Sequence, residues 1–141
     1  MNMENAETID RIDTLAKIGA SLIGVQIEAV RVAPSDIAGD PYVFGYCFGL
    51  FDAMAQMAGL DQYTQGMAMM SAGFSKLVHT ASAGAALFQK AVEMQGDPAF
   101  RAGAAVGGAD LAAWAADASA MPTGIARLGR ADADDDAPAN A

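Results

Sequence analysis

Chemistry-bearing side chains are scarce in this 141-residue chain, which has one cysteine and one histidine. The lone thiol, Cys47, excludes a disulfide within the chain and agrees with a reducing compartment. Cys47 and His79 cannot alone supply the N and S ligands of a tetrahedral zinc site, so no metal is expected. Cations are also few. Eight lysines and arginines stand against 17 aspartates and glutamates, a net charge of −9, and no basic patch carries interleaved aromatics. Nucleic-acid phosphates and anionic lipid surfaces are therefore disfavoured partners. The start, MNMENAETIDRID, has no basic segment leading into an apolar run. A secretory or mitochondrial address is not expected, and the expected location is the cytoplasm. The glycine-rich run Gly103-AAV-Gly107-Gly108 lies inside a helical pattern and follows no strand, so it meets no phosphate-cradling motif and no cofactor is expected.

Small apolar residues are what the chain has in abundance. Apolar side chains make up 53% and mean hydropathy is +0.22, much of it from alanine and glycine. Close helix packing, self-association and contact with an apolar molecule are three ways to bury such a surplus. No segment alternates as a strand does, whereas helical spacing recurs, so the fold class is all-α. The expected architecture is an antiparallel bundle of about four helices, with two weakly related helical hairpins as a variant of it. One domain spans residues 1–129, and residues 130–141 form an acidic tail expected to be disordered and to serve solubility. The first helix runs from about Ala6 to Val32 with Ile12, Leu15, Ala16, Gly19, Leu22, Ile23, Ile27 and Val30 on its apolar face. Gly39-Asp40-Pro41 and Gly96-Asp97-Pro98 each mark a boundary, with Asp as N-cap and Pro in the first turn. They open a second helix over about Pro41–Ala58 and a last one over about Pro98–Ala120. Between them a helical region spans about Gln62–Met94, with Met67, Met70, Phe74, Leu77, Ala81, Phe88 and Val92 as its stripe. Gly66, Gly73 and Gly84 each lower helix propensity there by roughly 1 kcal/mol and invite a break. After Met121-Pro122-Thr123-Gly124, one more turn at Ile125–Leu128 is expected against the bundle.

The most apolar stretch, PYVFGYCFGLFDAMAQMAG over residues 41–59, would suit a membrane span or a buried helix. Its five Val, Leu and Phe side chains favour insertion by roughly 2 to 3 kcal/mol, and one central Asp opposes it by roughly 2.5 to 3.5 kcal/mol. No span is expected. Contact with a membrane surface stays open.

On this helix Tyr42, Gly45, Tyr46, Gly49, Asp52 and Gln56 are the candidate ligand or interface residues. Gly45, Gly49, Asp52, Gln56 and Gly59 share one narrow stripe, and Asp52 is a carboxylate in aromatic surroundings. Gly45-xxx-Gly49-xx-Asp52 has a counterpart in Gly103-xxx-Gly107-xx-Asp110, which would place two carboxylates near a pseudo-twofold axis. The preceding helices match poorly, and true repeats are similar over their whole period, which favours coincidence. Cys47, His79 and Asp52 are one of each residue that thiol catalysis needs. Cys47 lies on the apolar helix, however, and His79 shares a charged face with Lys76 and Lys90, so no catalytic residue is expected. The expected function is a non-catalytic helical module that self-associates or binds another protein through the glycine and aromatic faces of the second helix. Its alternative is an apolar small-molecule or lipid-binding protein with a cavity lined by aromatic and methionine side chains. An enzyme using Asp52 or Cys47 is the third reading.

Overall fold

The computed structural model describes residues 3–60 and 63–126. Helices α1 (Met3–Ala29), α2 (Pro41–Met57), α3 (Tyr63–Val78), α4 (Ala81–Glu93) and α5 (Pro98–Ala116) pack as an all-α bundle, with a 3-10 helix at Pro34–Gly39 and no strand among the described residues. The acidic tail expected at residues 130–141 lies outside the described residues.

Both Gly-Asp-Pro boundaries form as their residue types dictate. Asp40 accepts hydrogen bonds from the backbone N–H groups of Tyr42 and Val43 at 3.0 and 3.2 Å. Asp97 accepts from those of Ala99 and Phe100 at 2.9 and 3.0 Å. Each carboxylate satisfies two of the donors that a helix start leaves unpaired.

Three boundaries differ from expectation, each for a local reason. Helix α1 stops at Ala29 because Arg31 turns left-handed at φ 60°, and the Val32 N–H closes back onto the Ile27 carbonyl at 2.8 Å. The long third region divides at His79, φ 64°, where the Thr80 hydroxyl accepts from Ala83 N–H and starts α4. The glycines take no part in that break. Gly73 lets the Phe51 ring lie where a Cβ would be, and Gly84 admits Ser75, closing α3 and α4 into a hairpin. Helix α5 ends at Ala116, short of Ala120, because the Asp117 carboxylate accepts from both the backbone N–H and the hydroxyl of Ser119.

The glycine stripes of α2 and α5 face each other. A Cβ on Gly45 would lie 2.0 Å from the Phe100 carbonyl oxygen, and one on Gly49 would lie 2.1 Å from that of Ala104. Reciprocally, a Cβ on Gly103 would lie 2.0 Å from the Tyr42 carbonyl oxygen, and one on Gly107 2.2 Å from that of Tyr46. Residue numbers rise together in these contacts, so the two helices run parallel, related locally by n and n + 58. The antiparallel arrangement does apply to α1 on α2: Arg11 donates to the Ala58 carbonyl at one end, and Gln26 meets Tyr46 at the other.

Around this crossing, Phe51, Phe74, Phe44, Phe100 and Phe48 form a chain of ring contacts with centroids 5.4 to 5.6 Å apart, joining α2, α3 and α5. Edge-on pairs of this kind add about 0.5–1.5 kcal/mol each beyond area burial. A polar network closes the other side. Gln26, 3% exposed, donates to the Tyr46 hydroxyl at 2.9 Å, and that hydroxyl donates to Asp110 Oδ2 at 2.7 Å. Gly124 N–H also donates to Asp110 Oδ2, while Ile125 N–H donates to Gln26 Oε1, both at 2.9 Å. The expected last turn is thereby fastened at Gly124–Ala126.

Two glycines give opposite expectations. Gly49→Ala forces α2 from α5 and should lower stability by about 1–3 kcal/mol or more. Gly24→Ala, with nothing within 4 Å of the new methyl, should raise it by about 0.5–1 kcal/mol through helix propensity. Urea denaturation of both variants checks the pair. Tyr46→Phe leaves Asp110 and Gln26 without their shared hydroxyl and should cost about 1–3 kcal/mol in the same measurement.

Candidate functional site

The six candidate residues of α2 separate into two groups in the structure. Gly45, Gly49 and the fully buried Tyr46 are enclosed by α5 and by the Gln26 network, and Tyr42 contributes its carbonyl to the Gly103 contact. Packing within the chain thus occupies the glycine face. Burial pushes the Tyr46 phenol well above its ordinary value, with the neighbouring Asp110 carboxylate adding to it, so the hydroxyl stays a donor.

Asp52 and Gln56 belong elsewhere. Under the n + 58 relation the counterpart of Tyr46 is Ala104, so Asp52 has no phenol where Asp110 has one. Its partner is Gln56, one turn along the same helix, whose Nε2 donates to Asp52 Oδ2 at 2.8 Å. The two carboxylates are not a pair. Partial burial raises the Asp52 carboxyl above its ordinary value, and the Gln56 hydrogen bond partly opposes the rise.

Asp52 and Gln56 line a groove of about 800 Å³ between α2, α3 and α4. Phe48 and Ala55 come from α2, Leu60 from the turn after it, Tyr63, Met67 and Met70 from α3, and Phe88, Gln89 and Val92 from α4. The α3–α4 hairpin makes this wall, because Gly84 seats α4 against Ser75 and directs Phe88 and Val92 back toward α2. Met67, Phe88 and Val92 were legible as apolar positions of one continuous stripe. The break at His79 instead leaves Phe74 and Leu77 in the core and turns the other three to the groove. Apolar exposure collects here. Tyr63, Met67 and Val92 are 80%, 37% and 48% exposed, while the exposed Ile9, Val25, Met57 and Met121 are outside the lining.

A second concavity of about 590 Å³ lies between α1 and the end of α3, lined by Lys17, Glu28, Lys76 and His79 over an apolar floor. Its lysines both pair with Asp13, at 3.0 and 2.8 Å, which holds that carboxyl below the usual range. The two ammonium groups thus share one carboxylate, and Glu28 adds a negative charge to the same lining.

Cys47, His79 and Asp52 are not assembled into a catalytic set. Cys47 is fully buried with its thiol pushed far up by desolvation, His79 is exposed at the α3–α4 joint, and Asp52 bonds Gln56. Among the described residues no three His, Cys, Asp or Glu side chains are grouped to hold a metal, and no helix is long and apolar enough to cross a membrane. Gln26 is the residue that sequence reasoning passed over. Its signal was a lone amide on the apolar face of α1, between Ile23 and Ile27.

Because the Asp52 carboxyl is raised, the folded state holds its proton more tightly than an unfolded chain with a value of about 3.9. Its contribution therefore favours folding at low pH and turns against it as pH rises through the raised value. Asp52→Asn should be more stable than the native chain at neutral pH, by less than about 1 kcal/mol at this partly exposed site. That advantage should vanish below about pH 3.9, as thermal unfolding across a pH series would reveal. Comparison with protein families, with curated proteins and with solved structures gives no match to this chain.

Proposed function

We propose that this chain is a non-catalytic binding protein whose groove between α2, α3 and α4 receives an apolar molecule. The supporting observation is that aromatic, methionine and aliphatic side chains from three helices surround a single space of about 800 Å³. Small-molecule sites typically fall between about 300 and 1,000 Å³ and combine an apolar wall with a few polar groups. Asp52, Gln56, Gln89 and Gln95 supply those polar groups here. Met67 and Met70 have unbranched side chains that adjust to irregular shapes.

A second reading rests on the exposure of part of the groove's lining. Tyr63 and Val92, both well exposed, would equally meet the apolar face of an amphipathic helix from another protein or from a second copy. Self-association through Gly45 and Gly49 loses its support, since α5 covers both. Catalysis by Cys47 has little support with its thiol buried and un-ionised.

Titration with hexanol, octanol and decanol, followed by calorimetry, tests the first reading. Affinity should rise roughly fourfold per added methylene, the equivalent of about 0.8 kcal/mol each, until the groove is filled. The double variant Met67→Gln, Val92→Gln changes two exposed side chains and should retain native helicity while binding about tenfold more weakly. No binding of any alkanol, or unaltered binding by the double variant, would overturn it. Light scattering that shows a stable dimer, lost in the double variant, would favour the second reading.

A further inference from the structure

The groove has a sign of charge as well as a shape. Among the described residues its ionisable lining side chains are Asp52 on α2 and Tyr63 on α3, and none of them is Lys, Arg or His. Lys90, next to Gln89 on α4, is exposed and outside the lining. Asp52 receives one hydrogen bond among the described residues, from Gln56 to Oδ2, which leaves Oδ1 able to accept another. The rings of Phe48, Tyr63 and Phe88 line the same groove, and π-faces attract cations and not anions. A carboxylate or phosphate head group brought here would meet like charge, with no compensating cation among the described lining residues. A protonated amine would meet a half-buried carboxylate, where a charge-assisted bond is stronger than in open water. The net charge of −9 further concentrates cations near the molecule.

Building on the groove-binding reading, we infer that the preferred occupant is a cationic amphiphile. Its apolar body lies along Phe48, Met67, Met70 and Phe88, and its ammonium group meets Asp52. Neutral molecules of the same shape bind more weakly, and fatty-acid anions more weakly still. The glutamines Gln89 and Gln95 offer side-chain carbonyls as additional acceptors for the ammonium hydrogens.

Octylamine, octanol and octanoate, matched in length and kept below self-association, separate these cases in calorimetric titrations at neutral pH. The native chain should bind octylammonium about tenfold more tightly than octanol, and octanoate more weakly than octanol. In Asp52→Asn, which preserves an acceptor for Gln56, octylammonium and octanol should bind within about twofold of each other. Amide chemical shifts of Asp52, Met67 and Phe88 should move on titration and locate the ligand. Equal binding of all three ligands, tighter binding of octanoate, or a preference for the amine that persists in Asp52→Asn would overturn the charge inference alone. Failure of all three to bind would overturn the groove reading together with it.

Discussion

Four absent methyl groups hold this fold together. With Gly45, Gly49, Gly103 and Gly107 each receiving a carbonyl oxygen of the opposite helix, α2 and α5 approach more closely than side chains would permit. That approach sets the register of everything nearby. It brings the Tyr46 hydroxyl to Asp110, stands the Phe44 ring edge-on to Phe100, and carries Gly124 to where a Cβ would strike the Tyr46 ring at 2.3 Å. A shift of α5 by one turn would break these contacts together.

Three neighbouring polar groups on α2 show how burial and available partners together assign different chemistry. Tyr46 is buried but has Gln26 and Asp110, so its hydroxyl bonds at both ends. Cys47 is equally buried without a charged neighbour, and behaves as a small apolar side chain. Asp52 lies about one and a half turns beyond Cys47, half-buried, with an amide from its own helix as its hydrogen-bond partner. The local reciprocity of α2 and α5 makes the last difference plain: alanine in place of a phenol at position 104 leaves Asp52 facing a groove instead of a network.

Much of the architecture was legible because short-range rules govern it. Asp40 and Asp97 cap helices through their own backbone neighbours, and the apolar face of α1 follows from spacing alone. The glycine stripes were equally visible, but a stripe is compatible with either helix direction and with either an internal or an external partner. Parallel pairing of α2 with α5 depends on contacts some 58 positions apart, which no local pattern encodes. The division at His79 was hidden for a different reason. A left-handed histidine has no strong signature, whereas Gly66, Gly73 and Gly84 drew attention as breakers, and two of them, Gly73 and Gly84, serve as points of close approach. Of the candidate site, Asp52 and Gln56 were found as a stripe, but the opposite wall from α4 depended on that break.

The Gln26 amide and the Ile125 N–H are separated by 99 positions in the chain, yet they share one hydrogen bond. During synthesis, α1 through α4 leave the ribosome before α5 and the segment behind it can close upon them. For that interval Tyr46 and the bare glycine surface of α2 remain wet, an invitation to chaperones or to wrong neighbours. Closing a contact this distant in sequence costs more chain entropy than forming any single helix, and topologies rich in such contacts fold more slowly.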